Sequence, residues 1–284
     1  MVNKIINIDV DYKAMGVEPS PRQTTLTTYI IDNNNIKLSS WRKRPAVIVC
    51  PGGGYSMTSE REAEVIALRY AAAGYHAFIL DYSVAPSSYP AALCELSKAV
   101  AYVKGIADEN CIDKDNIYVC GFSAGGHLVA SLGVHHSRPE VLKYSGLKEG
   151  ENIPAGLILG YPVIRNEEGK THKGTIDNFS KGNEEYRKLA GLNKFVSKDT
   201  PPSFIWATAK DEAVPVSSSL AFAAALDEND VDFELHIFPI GPHGISLADE
   251  TTDVWEDGTG LIPSAQNWME MSVRWIKMRA LNIK

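Results

Sequence analysis

Short apolar runs alternate along the chain with stretches in which apolar residues recur every three or four positions. The runs have the length and composition of buried β-strands, and the stretches between them are typical of helices that pack on a sheet. This alternation indicates a mostly parallel sheet with helices on both faces, so we expect the fold to be α/β. The strands predicted for this sheet are Ala46–Cys50, Tyr75–Tyr82, Asn116–Cys120, Ala155–Tyr161, Ser203–Ala209 and Phe233–Pro239.

The first long helix of the pattern has both a start and a stop signal. Ser59-Glu60-Arg61-Glu62 has the spacing of a capping box, in which the Ser and Glu side chains bond free N–H groups of the first turn. We therefore predict a helix that runs to Ala73 and is stopped by Gly74. Three more helices are predicted at Pro90–Gly105, Val216–Leu226 and Ser264–Ala280.

Two segments depart from this rhythm. Near the N-terminus, Ile5–Val10 and Thr25–Ile31 alternate apolar and polar residues across a Pro-rich turn, which predicts an antiparallel edge of the sheet. Residues 165–202 show little apolar periodicity and many charges and glycines, and an insertion of this length is usually a lid or a binding loop. We interpret it as a small cap, with a weak helix near Asn183–Ala190, within a single domain that spans 1–284. A surface excursion without function is the alternative.

The composition fits a globular domain with an ample core, since 44% of the 284 residues are hydrophobic and 22% are charged. The net charge of −7, from 28 basic and 35 acidic residues, argues against nucleic acid or an anionic membrane as a partner. The basic cluster Trp41-Arg42-Lys43-Arg44 precedes a strand, and we interpret it as a solvated strand entry.

The N-terminal residues Met1–Asp9 contain no apolar signal segment, and no apolar run approaches the ~20 residues of a membrane span. We therefore expect a cytoplasmic protein without a membrane partner.

The four cysteines form no Cys-x-x-Cys pair and have no histidines at zinc spacing, which predicts reduced structural thiols and no metal site. These cysteines are Cys50, Cys94, Cys111 and Cys120.

The motif Gly121-Phe122-Ser123-Ala124-Gly125 lies between a predicted strand and a helical stretch. A strand, a G-x-S-x-G turn and a helix together describe a nucleophile elbow, which exposes the serine hydroxyl at the edge of an α/β sheet. The small residues at Gly121 and Gly125 remove side chains that would collide in so tight a turn. Ser123 is therefore the candidate nucleophile.

A serine hydroxyl needs a base within hydrogen-bond reach, and the base needs an acid that orients it. In this fold the acid and then the histidine follow the serine, each on a loop after a later strand. His243 follows the last predicted strand, and Asp211 follows the strand before it, with Glu212 as the alternative acid. We assign structural or cap positions to the remaining histidines, which are His76, His127, His135, His136, His172 and His236.

Hydrolysis of an ester also requires N–H groups that meet the negative charge on the carbonyl oxygen. One donor is expected to be the backbone N–H of Ala124, directly after the nucleophile. The others are expected from Gly53 and Gly54, because the turn Pro51-Gly52-Gly53-Gly54 follows the first parallel strand. A glycine-rich turn without function is the alternative interpretation.

These motifs occur in an order that resembles the α/β-hydrolases of the acetyl-xylan-esterase-like branch, close to the hormone-sensitive-lipase-like esterases. The resemblance implies the α/β-hydrolase fold and a triad on Ser123, Asp211 and His243, and it runs from about residue 40 to the C-terminus. Pro51 stands where the wider lipase motif has histidine, and the role of Arg61 stays open. The quoted segments are Pro51–Tyr55, Arg61-Glu62, Gly121–His127, Tyr161–Val163, Pro201-Pro202, Asp211–Pro215 and His243-Gly244.

We therefore expect a serine carboxylesterase that hydrolyses short-chain acyl esters, with acetyl groups on sugars as candidate substrates. The mechanism would need no metal or organic cofactor. Two other classes stay open. A peptidase of the same fold would need a larger gating domain than 165–202, and a non-catalytic α/β-hydrolase would bind a small ligand or a partner protein without using its triad.

Overall fold

The computed structural model describes residues 1–32 and 43–281, so Trp41 and Arg42 of the basic cluster lie outside the described residues. Eight strands form one sheet. They are β1 (Ile5–Asn7), β2 (Thr25–Tyr29), β3 (Arg44–Cys50), β4 (His76–Asp81), β5 (Ile112–Phe122), β6 (Gly156–Gly160), β7 (Ser203–Thr208) and β8 (Phe233–Phe238). Their order across the sheet is β1-β2-β4-β3-β5-β6-β7-β8.

Helices connect these strands and cover the sheet. They are α1 (Tyr12–Met15), α2 (Glu64–Ala72), α3 (Ala91–Gly105), α4 (Ala124–His135), α5 (Pro139–Ser145), α6 (Lys173–Ser180), α7 (Glu184–Leu189), α8 (Ser217–Glu228), α9 (Pro263–Gln266) and α10 (Trp268–Ala280). In the described ranges, none of the helices is both long and apolar enough to cross a bilayer.

The pairing of the strands confirms the α/β prediction. The six strands from β3 to β8 pair in parallel, whereas β1 and β2 add an antiparallel edge beside β4, as the N-terminal alternation predicted. Strand β5 begins four residues earlier than predicted, because residues 113–116 are half-buried or exposed and separate Ile112 from the apolar run.

Alternate residues of the central strand β3 pack into two separate hydrophobic cores, one on each face of the sheet. Val47 and Val49 pack with apolar residues of α2 and α10, whereas Ile48 packs on the opposite face with residues of α3, α4 and α8. All of these β3 side chains are fully buried, as expected for a strand covered on both faces. No disulfide joins the four cysteines, and Cys50, Cys94 and Cys120 are buried.

The predicted capping box is wrong. The Ser59 side chain makes no capping hydrogen bond, Glu60–Glu62 form one turn of 3₁₀-helix, and α2 begins only at Glu64. The reason is that Glu62 is buried and its carboxylate bonds groups elsewhere in the molecule. Glu62 therefore lies three positions after Ser59 for a reason other than helix capping.

Residues 165–202 contain two helices and a short 3₁₀ turn between β6 and β7. Helix α7 lies where the weak helix was predicted, and Asn183 caps its first turn by accepting from two backbone N–H groups. Helix α6 was not predicted, because only Ile176 and Phe179 give it an apolar face. The function of this segment as a cap stays a prediction.

Candidate active site

The turn between β5 and α4 holds Ser123 in a strained backbone conformation, with φ 53° and ψ −116°. The glycines on either side permit the turn. A Cβ added at Gly121 would lie 2.3 Å from the carbonyl oxygen of Gly125, and one at Gly125 would lie 2.1 Å from that of Cys50. Any larger residue at either position would therefore push the turn apart.

Three loops at the carboxyl edge of the sheet bring Ser123, Asp211 and His243 together. His243 Nε2 lies 2.8 Å from Ser123 Oγ, and His243 Nδ1 lies 2.6 Å from Asp211 Oδ2. The other oxygen of Asp211 accepts from the backbone N–H groups of Ala213 and Val214 at 2.9 and 2.8 Å, which fixes the carboxylate. Because a carboxylate accepts, Nδ1 carries the proton and Nε2 is free to accept from the serine hydroxyl. The acid in contact with the imidazole is thus Asp211 rather than Glu212.

The turn after β3 places Gly53 and Gly54 at the same cleft as Ser123. Gly53 has φ 132° and Gly54 has φ 65°, and a Cβ at Gly53 would lie 2.2 Å from the carbonyl oxygen of Met57. No hydrogen bond within 1–32 and 43–281 uses the N–H groups of Gly53, Gly54 or Ala124. These three donors are therefore available to a ligand.

A buried carboxylate that the sequence did not single out for this task supports the turn. Glu62 Oε2 accepts from the N–H of Gly52 at 2.7 Å, and Oε1 accepts from the hydroxyl of Tyr161 at 2.6 Å. The Tyr161 oxygen in turn accepts from the N–H of Ser246, on the loop that carries His243, at 3.0 Å. Burial and the Glu62 charge raise the pKa of Tyr161 well above its usual range, so it stays a donor. One carboxylate thereby links the glycine turn to the loop that carries His243, the base loop.

His127, one helical turn after Ser123, is a buried connector rather than a base. Its Nε2 lies 3.2 Å from the carbonyl oxygen of Ala190, and its Nδ1 lies 3.0 Å from the hydroxyl of Tyr55. Since a carbonyl only accepts, Nε2 carries the proton and Nδ1 accepts from the tyrosine. Burial lowers the pKa of His127 to about 3, so the ring is neutral around pH 7. It ties the elbow helix to the glycine turn and to the end of the 165–202 segment.

Replacing His127 with glutamine should flatten the acid branch of the stability curve. In the unfolded chain this histidine takes up a proton near pH 6.5, whereas in the folded protein it does so only near pH 3. Its contribution to the free energy of unfolding is therefore fully present above pH 6.5 and declines as the pH falls. The slope is about 1.4 kcal/mol per pH unit for one such group. Urea unfolding between about pH 7.5 and 4.5 measures it. Equal slopes for the wild type and His127→Gln would contradict the buried neutral imidazole.

The cleft above Ser123 has a volume of about 430 Å³ and is lined by polar residues and glycines together with Met57. The 165–202 segment contributes His172 and Asn178, and the Asn178 amide donates to the carbonyl of Gly54 at 2.9 Å. His172 Nδ1 accepts from the N–H of Thr175, which leaves the proton on Nε2. Burial and the nearby His243 lower the pKa of His172, so it is a neutral side chain at pH 7.

In the described ranges, no group of three or more His, Cys, Asp or Glu side chains could hold a metal ion.

Comparison with curated proteins finds relatives among xylan-degrading enzymes. The chain is 36% identical over 229 residues to endo-1,4-beta-xylanase B of Butyrivibrio fibrisolvens, covering 76% of this chain and 35% of that protein. It is 30% identical over 210 residues to an acetylxylan esterase of Xylanibacter ruminicola, covering 71% of this chain and 41% of that protein. The chain thus spans about a third to a half of the length of these relatives.

Solved structures match over nearly the whole chain. A carboxylesterase from Lactobacillus plantarum has a TM-score of 0.84 and 28% identity, with 99% of this chain and 98% of that chain covered. An acetyl ester-xyloside bifunctional hydrolase from Caldicellulosiruptor lactoaceticus has a TM-score of 0.79 and 30% identity, with 99% and 97% covered. The chain therefore has the α/β-hydrolase fold of these neighbours, which are themselves named as carboxylic ester hydrolases. The resemblance inferred from the motifs is confirmed.

The chain belongs to the BD-FAE family, whose family model matches residues 35–226. That range includes the glycine turn, the elbow and Asp211 but ends before His243. The histidine that contacts Ser123 therefore lies beyond the matched range, on the loop after β8.

Proposed function

We propose that the chain is a serine esterase in which Ser123 is the nucleophile, His243 the general base and Asp211 the acid that orients it. The observation that carries this proposal is the imidazole of His243, which bridges the serine hydroxyl at 2.8 Å and the carboxylate at 2.6 Å. Such a bridge turns a poorly nucleophilic hydroxyl into one that loses its proton as it attacks.

In the acylation step, Ser123 Oγ forms a bond to the ester carbonyl carbon while its proton passes to His243 Nε2. The imidazolium that results is stabilised by Asp211. His243 then gives the proton to the departing alcohol oxygen as the ester C–O bond breaks, which leaves an acyl-serine. In the second half, water attacks the acyl carbon, His243 takes its proton, and the carboxylic acid leaves as the serine hydroxyl is restored.

The negative charge on the carbonyl oxygen would be met by the N–H groups of Gly53, Gly54 and Ala124. The proposal is supported by their place around Ser123 and by the lack of an acceptor for them within the described residues. Donors fixed before the reaction need no reorganisation as the charge develops, and losing one typically costs ~3–4 kcal/mol of transition-state stabilisation.

We also propose that the acyl group is short, with acetyl as the leading candidate, and that sugars carry it. The polar side chains along the cleft support a hydroxyl-rich alcohol, and His172 and Asn178 place donors from the 165–202 cap beside it. Two similar proteins, an acetylxylan esterase and an acetyl ester-xyloside bifunctional hydrolase, agree by name with this substrate class.

Acetyl esters should be hydrolysed faster than long-chain esters. The cleft of about 430 Å³ has few apolar residues to bury a long acyl chain, so added methylenes gain little binding energy. We expect kcat/KM for p-nitrophenyl acetate to exceed that for p-nitrophenyl palmitate by at least about tenfold. Faster turnover of the palmitate ester in a detergent-matched assay would contradict the assignment.

Labelling with a fluorophosphonate probe tests the catalytic role directly. The probe phosphonylates only a serine that a neighbouring base activates, so we expect one label, located on Ser123 by peptide mass mapping. A chain that binds its ligand without catalysis would not react. Assays of acetylated xylo-oligosaccharides and of acyl-peptides in parallel then separate the esterase from a peptidase of the same fold.

A further inference from the structure

Arg61 stands at the same cleft as Ser123 and His243 but takes no part in the proposed chemistry. Its guanidinium lies over the ring of Trp255, 5.4 Å from the centroid. Its Nη2 lies against Gly244, where an added Cβ would be 3.4 Å away, and its backbone carbonyl accepts from Ser246 Oγ at 2.5 Å. Both ends of the residue are therefore held in place beside the base loop.

Among the described residues, the charge of this guanidinium has no partner of opposite sign. Within residues 1–32 and 43–281, no carboxylate oxygen lies within 4 Å of it, and its buried Nη1 has no acceptor. The adjacent carboxylate of Glu62 already accepts from Gly52 and Tyr161. Seven other arginines do have a carboxylate within 4 Å, namely Arg22, Arg69, Arg138, Arg165, Arg187, Arg274 and Arg279.

A buried cationic donor without an acceptor is unfavourable unless a ligand supplies one. The planar fork of arginine matches a carboxylate, which accepts two parallel N–H bonds. Arg61 is the one cationic side chain among the residues that line the described cleft, and His172 is neutral at pH 7. One positive charge neutralises a carboxylate, whereas a phosphate dianion would keep one uncompensated negative charge in the cleft.

We propose that Arg61 binds a carboxylate on the alcohol half of the ester, so that the substrates are acyl esters of hydroxy acids, with uronic acids as the sugar form. This inference rests on the proposed function. The alcohol half is favoured because Arg61 lies against Gly244, directly after His243, and His243 hands its proton to the departing alcohol oxygen. The stacking on Trp255 keeps the guanidinium ordered before the ligand arrives.

A matched pair of esters tests the assignment. Meta-acetoxybenzoate and meta-acetoxybenzamide share the acetyl group and the leaving phenol and differ in charge, and their hydroxide-catalysed rates correct for intrinsic reactivity. We expect the wild type to favour the carboxylate by about 10–100-fold in kcat/KM, and this ratio to fall as salt is raised. In Arg61→Gln the ratio should fall to near one, with Arg61→Lys intermediate because it keeps the charge and loses the fork.

Arg274→Gln is the charge-matched control. Arg274 pairs with Glu234 at the start of β8, at the opposite edge of the sheet from His243. It should keep the wild-type ratio. Because each ratio is measured within one variant, a partly unfolded sample does not alter it.

Three results would overturn the inference. One is a wild-type ratio near one, and another is an unchanged ratio in Arg61→Gln. The third is a preference that depends on Arg61 only when p-nitrophenyl hemisuccinate is compared with p-nitrophenyl butyrate. That result would place the carboxylate bound by Arg61 on the acyl half of the ester. Failure of the proposed function would differ, since neither acetoxy ester would be hydrolysed. In that case, calorimetric binding of meta-hydroxybenzoate and of meta-hydroxybenzamide to wild type and Arg61→Gln would still decide whether Arg61 binds a carboxylate.

Discussion

Replacing Ser123 with alanine is expected to lower kcat for p-nitrophenyl acetate by about 10⁵–10⁶-fold. The variant keeps the donors at Gly53, Gly54 and Ala124 but has no oxygen that can form the acyl intermediate. The fold should survive, because Ser123 Oγ makes its hydrogen bond to His243 alone among the described side-chain contacts. Steady-state rates, with thermal unfolding as a check of the fold, measure the effect.

A second buried serine provides the control for this variant. Ser218 on α8 is buried, and its hydroxyl has no partner within the described part of the chain. Ser218→Ala removes the same atom from a similar environment and should leave kcat near that of the wild type. Equal kcat values for Ser123→Ala and the wild type would end the esterase proposal for this site.

Replacing Glu62 with glutamine is expected to lower kcat by about 10²–10³-fold with little change in KM. The new NH₂ group must face either the N–H of Gly52, which cannot accept, or the oxygen of Tyr161, whose own proton then loses its acceptor. The turn would then shift and carry the N–H groups of Gly53 and Gly54 away from the carbonyl oxygen. A Cβ at Gly52 would lie 2.6 Å from Glu62 Oε2, so the two residues are already in close contact.

Readouts other than stability separate this positioning role from a general loss of structure. The affinity for a trifluoromethyl ketone, which forms an oxyanion on Ser123, should fall in parallel with kcat. Tyr161→Phe leaves the contact with Gly52 in place and should lose less. Glu64→Gln is the matched control, because Glu64 also accepts from a tyrosine hydroxyl, that of Tyr29 at 2.8 Å. A loss of stability in Glu62→Gln at unchanged kcat per active site would refute the positioning role.

Most of the sheet could be predicted from the sequence, because buried parallel strands are short continuous apolar runs. The runs at 155–161, 203–209 and 233–239 match β6, β7 and β8 to within two residues at either end. The proximity of Ser123, Asp211 and His243 also followed from local information. Parallel strands end at one edge of the sheet, so the loops that follow them meet there.

The contacts around Glu62 and Arg61 could not be predicted in the same way. Tyr161 lies 99 positions from Glu62, and no local pattern marks two residues that meet only after the sheet has formed. The Ser59–Glu62 spacing even favoured a capping box, since a buried carboxylate and a capping one look the same in a sequence. For Arg61, the informative feature is a missing partner, and only three-dimensional contacts disclose it.

Helix α7 in the 165–202 segment is fastened to the body of the molecule by its last carbonyls. Leu189 accepts from His135 at 3.1 Å, and Ala190 accepts from His127 at 3.2 Å. Moving this part outward would leave two buried imidazole N–H donors without acceptors. Each unsatisfied donor costs roughly 1–3 kcal/mol of free energy. We therefore expect the end of α7 to stay in place during turnover rather than to open as part of a gate. For the proposed esterase, we expect that a polymer too large to be enclosed would present one acyl group at the cleft and diffuse away after each cleavage.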